Sequence, residues 1–257
     1  MSLTDQRALV TGASAGIGRS IALALASAGC RVVVSARGVE GLQTLAAEIA
    51  AAGGTCQVET CDVTRSDQVE RLAQAVQASL GGIDILIHSA GASESHKFIG
   101  HPDELWDRML STNLTSAYYV TKAFAPGMVE RGYGRIILVA SSAARVGAKY
   151  VAAYTAAKHG VLGLTRALAV ELGPNVTVNA ICPGYTNTPM TDRSVKHIVA
   201  RTGRTAENVR RILASANPQG RLIEPAEVAA VALFLAEVSS RSITGQAVQV
   251  DGGAVMV

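Results

Sequence analysis

Short runs of β-branched and aliphatic residues alternate along this chain with longer alanine-rich stretches of helical period. The runs predict strands at Arg7–Thr11, Arg31–Ala36, Thr55–Thr60, 83–88, 135–140, 176–181 and Ala247–Val250. Between them the periodicity predicts helices at 17–28, 39–52, Ser66–Leu80, 102–131 (with a break near Leu110), 153–172 and Pro225–Ala236. Strand runs such as Val32-Val33-Val34 are continuously apolar rather than alternating, which calls for burial on both faces. The pattern is that of an α/β protein, a parallel sheet with helices on both sides.

One segment breaks the rhythm. From Thr186 to Gln219 the chain is polar, basic and only weakly helical, where a βα alternation would place a short loop. No linker, repeat or low-complexity tract divides the sequence, so a single domain over residues 1–257 is expected, with 186–219 as a lid over a site. Charge adds to that picture. Between Thr191 and Arg221 lie Arg193, Lys196, Arg201, Arg204, Arg210, Arg211 and Arg221 against Asp192 and Glu207, a local +5, whereas the whole chain carries +3.

A net charge that small leaves no electrostatic footprint for nucleic acid, and three Phe, one Trp and six Tyr are too few for base stacking. Cys30, Cys56, Cys61 and Cys182 show neither a CxxC pair nor metal-ligand spacing; with the five histidines likewise unspaced, no metal site is expected. The longest late apolar stretch, 228–235, is far short of the ~20 residues a membrane span needs, and no signal peptide is evident at the start. A cytoplasmic protein with no membrane partner is expected.

The first strand ends in Thr11-Gly12-Ala13-Ser14-Ala15-Gly16-Ile17-Gly18 and runs straight into a helix. Glycines let the backbone turn sharply and let a pyrophosphate approach the helix N-terminus, where free N–H groups favour negative charge. The spacing is neither G-x-G-x-x-G nor that of a nucleoside triphosphate loop.

This turn, with Tyr154-x3-Lys158 downstream, resembles the short-chain dehydrogenase/reductase family, and closest in appearance are its 3-oxoacyl and polyketide ketoreductases. The resemblance covers essentially the whole chain: Asp62-Val63 after the third strand, Asn113-Leu114, Ser141 ahead of Tyr154, Pro183-Gly184, Thr188-Pro189-Met190 and Asp251-Gly252-Gly253 follow in order. It implies a Rossmann-type, doubly wound sheet of seven strands, a nicotinamide cofactor, and a homotetramer or homodimer. The cofactor residues it implies are Gly12, Ser14, Ala15, Gly16, Ile17, Gly18, Arg37, Asp62, Val63, Ala90, Gly91, Tyr154, Lys158, Pro183, Gly184 and Thr188. One departure stands out: the family usually has Asn-Asn-Ala-Gly after the fourth strand, and here the residues are His88-Ser89-Ala90-Gly91. His88 is read as structural.

Tyr154 and Lys158 lie four apart on a predicted helix and so share a face. A nearby ammonium is expected to lower the tyrosine pKa toward the range useful for acid–base work. Ser141, just after a buried strand, is placed to hydrogen-bond the same substrate oxygen; Ser142 is the neighbouring alternative, and the family offset selects Ser141. The resemblance supplies Asn113 as the fourth catalytic member, holding a water that relays protons to Lys158, which would also bind the nicotinamide ribose. After the second strand, Ser35-Ala36-Arg37-Gly38 carries no acid to bind adenosine ribose hydroxyls, while Arg37 can take a 2′-phosphate, so NADP(H) is favoured and NAD(H) remains the alternative. The expected activity is reduction of a ketone, or oxidation of the secondary alcohol, with a 3-oxoacyl thioester on coenzyme A or acyl carrier protein as leading substrate and a free small or cyclic ketone as its rival. A dinucleotide sensor without turnover would not need the tetrad.

Overall fold

The computed structural model describes residues 3–256. They form a seven-stranded parallel sheet in the order β3-β2-β1-β4-β5-β6-β7, with β1 Arg7–Thr11, β2 Arg31–Ala36, β3 Thr55–Thr60, β4 Ile85–His88, β5 Gly134–Val139, β6 Val176–Pro183 and β7 Ala247–Val250. Side chains two apart on a strand share a face. Val10, Ile87, Ile137 and Ile181 therefore pack to one side, against helices α1 Gly16–Ser27, α2 Glu40–Ala51 and α9 Pro225–Ala236. Leu9, Leu86, Ile136 and Leu138 pack to the other, against α3 Ser66–Leu80, α5 Ser116–Arg131 and α6 Ala152–Glu171. Strand order reverses between β1 and β4, so the C-terminal ends of these neighbours open a crevice, the usual ligand position in such sheets.

Element types follow the hydrophobic pattern, and the differences have local causes. The fourth strand starts at Ile85 rather than 83 because Asp84 turns its carboxylate onto Arg7, accepting from the Arg7 backbone N–H at 3.0 Å and from Nε at 2.9 Å. The break near Leu110 is a π-helical turn, Ser111–Thr115, between α4 Asp103–Leu110 and α5.

The weakly helical reading of 186–219 is corrected: the segment carries two regular helices, α7 Pro189–Thr202 and α8 Ala206–Ala214. Thr188 caps α7 by accepting from the Thr191 N–H with Pro189 in the first turn, Thr205 caps α8 by accepting from the Asn208 N–H, and Gly203 ends α7 at φ 68°. Their few apolar residues (Val195, Val209, Leu213) pack together in a separate small cluster, which is why the overall composition hid them. The two ends of the excursion are zipped side by side: Asn187 N–H donates to Ile223 O at 2.8 Å and Ile223 N–H to Tyr185 O at 2.9 Å. No helix among the described residues is long and apolar enough to cross a membrane.

Candidate active site

The glycine turn joins β1 to α1 at the crevice. Gly12 sits at φ 68°, and a Cβ there would fall 2.6 Å from the Ala90 backbone nitrogen; a Cβ at Gly18 would fall 2.4 Å from Gly12 O. Only glycine permits this approach. The N-terminus of α1 begins after Ala15, with no side-chain cap and no acid in its first turn, so its leading N–H groups stay available to an anion. This cradle fits a dinucleotide pyrophosphate. A Cβ on Gly16 would come within 3.1 Å of the Thr188 side chain, so the turn also abuts the start of α7.

Beside the turn, Ala13 N–H donates to Ser35 O at 3.1 Å, and a Cβ at Gly41 would meet Ser14 O at 2.9 Å. The first turn of α2 thus lies against Ser14, with Arg37 exposed in the intervening segment and without a carboxylate partner among the described residues. Asp62 accepts from the Thr64 N–H and hydroxyl on one oxygen, and Val63 packs its side chain into the core. Pro183 closes β6, and Gly184 lies against Asp251, where a Cβ would meet the Asp251 Cα at 3.0 Å.

The catalytic candidates converge beside this crevice. Ser141 follows β5 and accepts from the Ala143 N–H at 3.1 Å, leaving its own proton to face the Tyr154 hydroxyl, with which it is hydrogen-bonded. That bond separates Ser141 from Ser142. Lys158, one helical turn beyond Tyr154, is buried; its Nζ donates to Val139 O at 2.9 Å and stands 5.7 Å from the Tyr154 ring centre. Asn113 lies in the π-helical turn and is clipped to the segment after β4: Ala92 N–H donates to its Oδ1 at 3.1 Å, and its Nδ2 donates to Ala92 O at 2.9 Å and Met109 O at 3.0 Å. A Cβ on Gly91 would fall 2.9 Å from Asn113 Oδ1 and 3.6 Å from Lys158 Nζ, so both groups border the space that this glycine vacates.

Electrostatics correct one expectation. Burial pushes the Tyr154 phenol up, and the Ser141 hydrogen bond only partly opposes it. Lys158 does not lower it: burial brings the lysine itself down to about 8, with no carboxylate holding its charge. Four further residues here had been given no role at the site from the sequence. Tyr185 follows Pro183-Gly184 and lies near enough to Tyr154 to raise its pKa further. Cys182 is buried, and its sulfur takes the Ser141 backbone N–H. Thr11 and Ser116 flank His88 through hydrogen bonds of 2.9 and 3.0 Å. An aromatic after Pro-Gly was a visible signal for Tyr185; contacts between distant strands and helices left none for the others. No cluster of metal-ligating side chains occurs among the described residues.

Comparison with known proteins agrees with this fold. Residues 12–255 match a family model described as enoyl-(acyl carrier protein) reductase. The chain belongs to the short-chain dehydrogenase/reductase family, NAD(P)-dependent oxidoreductases acting on CH–OH/C=O groups. Among solved structures, it is similar to an actinorhodin polyketide ketoreductase variant bound to NADPH, with 39% identity, TM-score 0.94 and 99% of each chain covered. It is 37% identical to a D-beta-hydroxybutyrate dehydrogenase of Cupriavidus necator, covering 98% of each, and 34% identical to a 3-oxoacyl-acyl-carrier-protein reductase of Thermotoga maritima over the full length of both.

Proposed function

We propose that the protein is an NADP(H)-dependent ketoreductase that reduces the 3-keto group of an acyl thioester, with Tyr154 as proton donor. The observation that carries this reading is the convergence of Ser141, Tyr154 and Lys158 beside an uncapped helix N-terminus at the sheet's switch point. The bound nicotinamide supplies the hydride. Tyr154, kept neutral by its raised pKa, donates its phenolic proton to the carbonyl oxygen, and Ser141 donates a hydrogen bond to the same oxygen. Lys158 would hold the nicotinamide ribose and return a proton to Tyr154. Asn113, its side-chain amide held by Ala92 and Met109, is the member that holds the relay water.

Arg37 selects the cofactor by charge-assisted hydrogen bonds to the 2′-phosphate, helped by Ser14 and the first turn of α2. Arg37→Ala is expected to lower the NADPH-over-NADH preference by about tenfold, the size of one charged hydrogen bond, in parallel titrations with both cofactors. An unchanged preference would remove Arg37 from cofactor selection.

For the substrate, α7 and α8 act as the lid. Asp192 is paired with Arg210 and Glu227 with Arg221, whereas exposed Arg193, Lys196, Arg201, Arg204 and Arg211 have no carboxylate partner among the described residues. This surplus suits a phosphate-bearing handle, the pantetheine arm of coenzyme A or of an acidic carrier protein. Acetoacetyl-coenzyme A is expected to be reduced with higher kcat/KM than a matched free β-keto ester, and the advantage should shrink as salt rises. Equal efficiency without salt dependence favours a free ketone or hydroxy acid instead.

Exposed Tyr118 and Val129 on α5, and Val170 on α6, support a homotetramer or homodimer in which another copy covers these faces. A cytoplasmic location accords with the chain's relatives and its free cysteines.

A further inference from the structure

His88 occupies the place where the family usually has asparagine, and it is almost fully buried at the C-terminal end of β4. Its neighbour in the β1–β4 register is Thr11, the residue immediately before Gly12. Thr11 Oγ1 lies 2.9 Å from His88 Nδ1, and His88 Nε2 lies 3.0 Å from Ser116 Oγ, at the junction of the π-helical turn with α5.

The direction of these bonds is determined. Ser116 has one hydroxyl proton, and it goes to Thr112 O at 2.7 Å. Ser116 therefore accepts from His88, which makes Nε2 the protonated nitrogen, and Nδ1 accepts the Thr11 hydroxyl proton. Burial, with Lys158 nearby, pushes the imidazole down to about 3, so it stays neutral wherever the enzyme is folded and working. A single polarised chain runs from Thr11 through His88 and Ser116 to the Thr112 carbonyl.

Both ends of this chain reach functional parts. At one end the glycine turn rests on the segment after His88: Ser89 N–H donates to Thr11 O at 3.2 Å, and Gly12 leaves no room for a Cβ against Ala90. At the other end Thr112 precedes Asn113, whose amide clips the same segment at Ala92. π-turns of this kind mark functional positions because the widened turn re-aims the residues it carries.

We propose that His88 is a positioning residue with two separable arms, its Nε2–H fixing Asn113 through Ser116 and its Nδ1 fixing the glycine turn through Thr11. This rests on the reading of Asn113 as catalytic and of the glycine turn as the NADPH cradle.

The amide oxygen of asparagine can stand in for Nδ1, and the amide nitrogen of glutamine for Nε2, because each places a polar atom at that distance from Cα. The Ala92 amide reports the placement of Asn113 directly, since its proton is held by Asn113 Oδ1. Hydrogen exchange at Ala92 and NADPH affinity by nicotinamide fluorescence are measured on the full chain for His88→Leu, His88→Asn, His88→Gln and Ser116→Ala. His88→Leu is expected to speed Ala92 exchange and to weaken NADPH binding, each by about tenfold, the loss of one buried hydrogen bond. His88→Gln should keep Ala92 protection while losing NADPH affinity, and His88→Asn should do the reverse. Ser116→Ala, the mildest change, should speed Ala92 exchange with native NADPH affinity. Native exchange at Ala92 in both His88→Leu and Ser116→Ala overturns the proposal. So does a loss of protection spread evenly over 85–92, which is what a purely structural histidine would give. Tyr154→Phe measured alongside should leave Ala92 exchange native, so a failure of the catalytic reading appears in its turnover and a failure of this proposal in the exchange rates.

Discussion

Tyr154→Phe is expected to lower turnover by about 10²–10⁴-fold, the usual contribution of a positioned general acid, while NADPH affinity and thermal stability stay close to native. The substitution removes one hydroxyl and keeps the ring, so packing around α6 is undisturbed. It also removes the only phenol hydrogen-bonded to Ser141 among the described residues. The wild type should show the matching pH dependence. Burial raises the Tyr154 pKa, so the neutral form that donates a proton predominates at neutral pH. Carbonyl reduction should therefore hold steady around neutrality and fall as rising pH removes that proton, whereas alcohol oxidation, which needs the phenolate, should rise. Steady-state kinetics in both directions check this. Near-native turnover in the phenylalanine variant would remove Tyr154 from proton transfer.

Gly12→Ala should damage stability and cofactor binding together. The backbone at φ 68° disfavours any side chain, and the added Cβ would lie 2.6 Å from the Ala90 nitrogen and 2.8 Å from the Ser89 carbonyl carbon, all main chain. Neither strand end can yield, because both are central in the sheet. A destabilisation of about 3 kcal/mol is expected, near the upper part of the range for single substitutions, which corresponds to a fall in Tm of about 6–12 °C for a domain of this size. The stabilisation that NADPH gives the wild type should disappear, since the turn proposed to cradle the pyrophosphate is displaced. Thermal unfolding with and without NADPH measures both. A native Tm with a native NADPH shift would show that the turn does not pack as described.

Much of this architecture was legible because its signals are local. Continuous apolar runs such as Val32-Val33-Val34 can only be buried strands, and β1, β2, β3 and β7 fall where the pattern places them. The glycine turn and the Tyr154–Lys158 pair were equally plain, since each depends on residues close in sequence. What stayed hidden depends on contacts across the chain. Helices α7 and α8 bury so few apolar residues that their caps at Thr188 and Thr205 were the only strong cues. The direction of the Tyr154 shift could not be read from the spacing to Lys158, because burial outweighs proximity and the lysine turns its ammonium to Val139 O. His88 showed only as a departure from the family pattern; its partners lie 77 and 28 residues away.

The central claim, that this site carries hydride and proton to a 3-keto group from NADPH, is tested most directly by following the nicotinamide absorbance band with purified protein. Acetoacetyl-coenzyme A, a matched free β-keto ester and a cyclic ketone are each offered with NADPH and with NADH, beside Tyr154→Phe as the control. The predicted result is loss of NADPH absorbance with all the ketones that the wild type accepts, fastest with the thioester, slower with NADH, and near background in the phenylalanine variant. NADPH binding without turnover of any ketone, or turnover that survives in Tyr154→Phe, would contradict the account.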